Sequence, residues 1–177
     1  MSESNLITQR NRYDKTGECI QAGLGAEQIF DQIAESKNLE VKNARRRENI
    51  HKHIDKYVTQ ESKTWSVDIK ARKKTSRSDS DAQDEWIWIE FQNVRGNLGW
   101  LYGEADNIAF ETQDSFVIVD RKSLIDYVEN AVDMAKPVRK SYLAKYKTYQ
   151  RAGRNDLLTM VELSKIIENC NHFVWQK

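Results

Sequence analysis

The spacing of apolar and polar positions changes several times along the chain, and each change marks an element. Residues 1–22 keep no clean period and read as an N-terminal arm. After Gly23-Leu24-Gly25, the residues Ala26, Ile29, Phe30, Ile33 and Ala34 recur at i, i+3, i+4, i+7 and i+8. That stripe predicts a helix packed on one side and ending near Lys37-Asn38, followed by a short strand over Leu39 to Ala44. Two stretches then alternate with period two. In Lys52 to Val58, Ile54 and Val58 take one side while His53, Asp55 and Tyr57 take the other. In the next stretch, Trp65, Val67, Ile69 and Ala71 form an apolar face, and Asp68 and Lys70 share the opposite one. The link Thr59 to Thr64 is short and polar, as a hairpin connection should be. If the two strands pair, the carboxylates of Asp55 and Asp68 can converge.

Beyond them, the serines and aspartates of Thr75 to Asp84 predict a mobile surface loop. Trp86 to Val94 is apolar or aromatic on both faces, which predicts a central strand covered on two sides. Gly96, Gly99 and Gly103 turn the chain, and Ala105 to Glu111 and Phe116 to Asp120 read as two strands joined by a turn. Ser123 is placed to cap a helix whose apolar side is Leu124, Tyr127, Val128, Ala131 and Ala135, with Asp126 in the capping-box position and Pro137 beyond the end. Leu157 to Leu163 reads as a last strand before Ser164 to Glu168, with a helical tail as the rival reading. The division expected is an arm (1–22), a core (23–135) and a basic, tyrosine-rich extension (136–177) packed on the same domain.

Composition narrows the class. Charged residues make up 31% of the 177, there is one proline, and no apolar run is long enough to cross a bilayer. The opening residues lack a secretory signal, which points to the cytoplasm. Cys19 and Cys170 lie in no metal-binding spacing and read as free thiols. The net charge of +1 conceals bunching. Basic residues cluster at Lys42 with Arg45, Arg46 and Arg47, then at Lys70, Arg72, Lys73, Lys74 and Arg77. A third cluster spans Lys136 to Arg154, where Tyr142, Tyr146 and Tyr149 alternate with Arg139, Lys140, Lys145, Lys147, Arg151 and Arg154. Cations interleaved with aromatics suit phosphate contact and base stacking; the competing reading is a charged helix with its tyrosines in the core. No G-x-x-x-x-G-K loop and no G-x-S-x-G elbow occurs, so NTP hydrolysis and serine hydrolase chemistry find no support.

An acidic residue on a helix, Glu27, then Asp55, then Asp68-Ile69-Lys70 on the following strand resembles the PD-(D/E)XK nuclease superfamily over roughly residues 24–120. Within it, the chain looks most like small phage-encoded members in which a VDIKA-like strand precedes a GWLYG-type segment. Ile54 stands where many members have proline. The resemblance implies an α/β fold with a restriction-endonuclease-like core, a central mixed β-sheet flanked by helices. It also implies Mg²⁺-dependent hydrolysis of phosphodiester bonds, with Mn²⁺ as a substitute metal. Asp55, Asp68, the carbonyl of Ile69 and Glu27 would be the ligands, since hard oxygen donors suit Mg²⁺. Lys70 would orient or deprotonate the attacking water. Asp31 or Glu35, further along the helix, could replace Glu27.

Competing readings are specific. Asp68 and Lys70 fit a plain solvated strand face. A second register takes Asp68 as the first acid and Glu90-Phe91-Gln92 as the second motif. His51, His53 and Asp55 invite a zinc reading, but His172 is the only other histidine, too few for a dinuclear site. The expected activity is a metal-dependent nuclease with DNA as the preferred substrate; the alternative is a non-catalytic nucleic-acid- or partner-binding module on the same fold. The sequence leaves open whether the substrate is duplex, single-stranded or branched, and whether two copies pair to cut two strands.

Overall fold

The computed structural model describes residues 16–177. A long helix, α1 (Glu18–Ser36), opens it, so the segment from Glu18 to Ala22 is helical rather than part of an arm; residues 1–15 of that expected arm lie outside the described residues. Next come β1 (Glu40–Asn43), a short helix α2 (Arg46–Lys52), and the hairpin β2 (Lys56–Gln60) and β3 (Lys63–Lys70). Glu61, at φ 55°, makes the tight turn between those two strands. The chain continues through β4 (Trp86–Gln92), a 3₁₀ turn (Trp100–Tyr102), β5 (Asn107–Glu111), β6 (Ser115–Asp120) and α3 (Arg121–Ala131). It closes with β7 (Asp133–Val138), a 3₁₀ turn (Ser141–Leu143), β8 (Lys147–Tyr149), β9 (Leu157–Glu162), α4 (Leu163–Asn169) and β10 (His172–Gln176). No helix among the described residues is long and apolar enough to cross a membrane.

The strands form two mixed sheets flanked by helices. The larger has the order β1-β2-β3-β5-β6-β10, antiparallel except where β3 and β5 run parallel; the smaller is β4-β9-β8-β7, with β7 and β8 parallel. One face of the larger sheet is covered by α1. Ala26, Phe30, Ile33 and Ala34 bury against Val58, Val67, Ile69, Ala109, Phe116, Ile118 and Trp175, which is the stripe expected from the sequence. The opposite face, through Ile108, Phe110, Val117 and Val119, packs on Ile89, Phe91 and Val161 of the smaller sheet and on Leu124, Val128 and Ile166 of α3 and α4. β5 and β6 are therefore buried on both sides, which is why they read as continuous apolar runs.

Four expectations are corrected. β4 is an edge strand of the smaller sheet, not a central one. Ile87, Ile89 and Phe91 face the core, whereas Trp86 and Trp88 are half-buried on the other side, packed against Tyr146 and Tyr149, so neighbouring rings mimic two-sided burial. Helix α3 starts earlier than Ser123: Asp120 is the cap, its carboxylate accepting the Ser123 backbone N–H at 2.8 Å. That helix ends at Ala131, and Ala135 and Pro137 lie in β7, where proline is tolerated because β7 is an edge strand. Lastly, Thr75 to Asp84 is tied down: Asp79 accepts from the backbone of Thr75 and Ser76, and the Gln83 side chain bonds both Lys73 and Trp86. Neither cysteine is bridged; Cys19 is exposed and Cys170 is buried.

Candidate functional site

The β2–β3 register sets Lys56 opposite Val67, which places Asp55, one residue ahead of β2, beside Asp68. The approach to Asp55 is not strand but helix. α2 ends at Lys52, and the φ of 53° at its cap, His53, turns the chain into β2, so His51, His53 and Asp55 do not share a strand face as the alternation suggested. His51 is on α2 and His172 is on β10, at the far edge of the sheet, so the three histidines do not gather. The Asp55 N–H donates to Val67 at 2.9 Å and its carbonyl accepts from Ala44 at 2.9 Å. Its carboxylate accepts the Ile69 N–H at 2.7 Å and the Asn49 amide at 2.5 Å. Backbone and side chain are thus both fixed.

Asp68 projects from β3 away from α1 and is 2% exposed. One carboxylate oxygen accepts from Lys70 Nζ at 2.7 Å, and the other, also buried, has no hydrogen-bond partner. Burial pushes its pKa up to about 7; Lys70 pulls against that shift and Asp55 adds to it. Lys70 shares the face, two residues on, with its ammonium 5.0 Å from the centre of the Trp100 ring. Glu27 reaches toward the same place from α1, and burial and then Asp55 raise its pKa, while Lys56 lowers it. Glu27, Asp55, Asp68, Ile69 and Lys70 all line one open cleft of about 340 Å³.

Glu27 nonetheless turns toward Lys56, at 3.4 Å. Lys56 is 4% exposed, and its ammonium also bonds Asp31 at 2.9 Å and Asn43 at 2.6 Å. Asp31, the other helix acid considered, belongs to this lysine rather than to the Asp55–Asp68 pair, and Glu35 is exposed. Among the described residues, no three His, Cys, Asp or Glu side chains close up as a metal cluster. Two carboxylates and the neighbouring Ile69 carbonyl remain. That hard-oxygen set suits Mg²⁺, which takes one or two carboxylates and keeps several waters, and the buried, unpartnered Asp68 oxygen is the donor such an ion would satisfy.

Sequence reading missed Lys56, although the alternation it used puts Lys56 on the inward side with Ile54 and Val58. It also missed Asn49, which holds Asp55. Gly99 packs so closely on β4 that a Cβ there would sit 2.3 Å from the Glu90 carbonyl oxygen and 2.8 Å from Glu90 Cγ. Gly99→Ala is expected to cost about 2 kcal/mol as the segment moves, read as a lower urea midpoint; an unchanged midpoint would mean that Gly99 is not tightly packed on β4. Glu90 lies near Lys70 and Lys73, but Gln92 donates to the Asn155 carbonyl, so the Glu90–Gln92 register places no group beside Asp68 to replace the lysine.

The expected nucleic-acid contacts divide. Arg72 is ion-paired to Asp84 at 2.6 Å and Arg151 to the buried Asp156. Lys145 lies over the Trp86 ring at 4.1 Å, Arg139 bonds Gln150 at 3.0 Å, and Arg154 is half-buried. Lys73, Lys74, Lys140 and Lys147 are exposed. The Lys136 to Arg154 span is strand and turn, not a charged helix. Comparison of this chain with protein-family models, curated proteins and solved structures finds no match.

Proposed function

We propose that the protein is a metal-dependent nuclease of the PD-(D/E)XK type, with a restriction-endonuclease-like core in its larger sheet and DNA as its preferred substrate. The observation that carries this reading is Asp68: a buried carboxylate with one oxygen on Lys70 and the other unpartnered, beside Asp55 on an open cleft. A buried acid without full pairing lowers stability, and such an arrangement is found where function requires it.

Asp55, Asp68 and the Ile69 carbonyl would hold Mg²⁺, with Mn²⁺ as substitute, and Glu27 would contribute through water. When bound, the ion would acidify the attacking water and neutralise the leaving oxygen. The chain's own groups do the rest. Asn49 and the Ile69 N–H fix the Asp55 carboxylate in orientation, so no side-chain rotation is needed for it to serve. Lys70, with three N–H donors and one of them on Asp68, can orient the water and stabilise charge building on the phosphoryl oxygens. Exposed Lys73 and Lys74 follow on the same chain and would attract the phosphate backbone.

The test is cleavage of plasmid, single-stranded and branched DNA with Mg²⁺, with Mn²⁺ and with EDTA. Wild type is expected to cut only with metal, and Lys70→Ala to lose roughly 10²–10³ in kcat with KM little changed. If wild type binds these substrates and cuts none under either metal, the fold serves as a binding module instead.

A further inference from the structure

The GWLYG stretch, Gly99 to Gly103, is fastened at both ends. At Gly99 it lies against the Glu90 backbone of β4. At Gly103 a Cβ would meet the Lys52 carbonyl oxygen at 2.8 Å and His53 Cβ at 2.9 Å, so the chain packs directly on the end of α2. The next residue, Glu104, donates its N–H to the same Lys52 carbonyl at 2.7 Å. Between the two ends Leu101 is fully buried, and the Tyr102 hydroxyl donates to Glu129 of α3 at 2.7 Å. Trp100 is therefore presented from a rigid support. It is 7% exposed, its ring packs edge-on against Phe110 with centres 6.0 Å apart, and the Lys70 ammonium lies 5.0 Å from its centre.

Lys70 has need of such a support. Its stem of four carbons carries a point charge that can take many rotamers, and two acids compete for it. Asp68 accepts from the ammonium at 2.7 Å. Glu90 is the other: burial raises its carboxyl, and the charge of Lys70 draws it back down. The negative face of an indole attracts an ammonium without neutralising it. From this contact we propose that Trp100 is a positioning residue for Lys70, holding the ammonium on the Asp68 side at the edge of the acidic cleft. The role rests on the nuclease reading, in which Lys70 orients the water and stabilises the phosphoryl oxygens. A ring that keeps Lys70 in place acts on turnover and not on substrate affinity, because it touches the group that does the chemistry and lies outside the lining of the cleft.

The test is steady-state cleavage, with Mg²⁺, of whichever DNA in the plasmid, single-stranded and branched panel wild type cuts. Wild type is compared with Trp100→Leu, Trp100→Phe, Lys70→Ala and the double variant Trp100→Leu/Lys70→Ala, with circular dichroism reporting whether each is folded. Trp100→Leu is expected to lose about tenfold or more in kcat with KM within about twofold, and Trp100→Phe, which keeps an aromatic face, to lose less than about threefold. In the Lys70→Ala background, Trp100→Leu should change kcat by less than about twofold, because the group it positions is gone. A folded Trp100→Leu that cuts like wild type overturns the proposal and leaves the nuclease standing. So does an equal loss with and without Lys70, which would mark Trp100 as a core residue only. Should Trp100→Leu not fold, NMR of wild type decides. The Lys70 ε-methylene protons are expected upfield of those of the other lysines, shielded by the ring, and an ordinary position overturns the proposal. If wild type cuts no DNA under either metal, the nuclease reading and the positioning role fall together.

Discussion

Asp68→Asn is expected to yield a protein that is more stable than wild type at pH 8 without metal, yet cuts nucleic acid roughly a thousandfold more slowly or not at all. Both effects come from the same atoms. In the folded protein Asp68 titrates at about 7 instead of 3.8, so folding favours its protonated form. A group raised in this way contributes its full stability below the unfolded value and loses it as pH climbs from about 4 to about 7. At pH 8 the ionised carboxylate therefore costs up to about 4 kcal/mol, an upper bound taken from the size of the shift. An amide at this position can accept from Lys70 and donate toward Asp55, so the cost of a buried charge beside Asp55 is removed while the shape is kept. Urea denaturation in EDTA at about pH 4.5 and pH 8 checks this. The gap between variant and wild type should be small at the lower pH and large at the higher, and parallel pH profiles would refute it. Added Mg²⁺ should raise the wild-type midpoint and leave the variant unmoved.

Lys56→Met is expected to do the opposite, lowering stability by about 3–5 kcal/mol. Lys56 is the counter-charge for Asp31 and Glu27 and donates to Asn43, all within 3.4 Å. Without the ammonium, the carboxylates of Glu27 and Asp31, one turn apart on α1, lose their shared counter-charge, and one Asp31 oxygen is already buried without a partner. For a chain of this length the loss corresponds to roughly 10 °C in melting temperature. Adding Asp31→Asn to the methionine variant should restore about half of it, because one stranded charge is removed. If Lys56→Met melts within about 1 kcal/mol of wild type, water reaches this pocket and the pairing matters little.

Much of this arrangement is legible in the order of residues alone. The period of Ala26 to Ala34 marks the buried face of α1, and the alternation of Trp65 to Ala71 puts Asp68 and Lys70 on one side of β3, because strict periods report which face is buried. What stays hidden depends on partners distant in sequence. Nothing local to Trp86 to Gln92 tells that β4 pairs with β9 instead of β3, or that tyrosines from β8 and its approach cover its tryptophans. Nothing local to Arg46 to Lys52 outweighs the apparent alternation that follows, yet Glu48 fixes a helix there by accepting from the Arg45 N–H and from the Tyr57 hydroxyl. The second sheet escapes notice for the same reason: its strands are short, and three of the four lie after residue 132.

The pairing of β6 with β10 and of β4 with β9 has a consequence for how the chain is made. Everything that lines the acidic cleft has left the ribosome once Lys70 is out, but neither sheet can close until residues 157–176 follow. Until then β6 has a bare edge, and Phe30 and Phe116 lack the Trp175 ring that completes their cluster. The nascent protein thus carries its carboxylates early and completes its two sheets late.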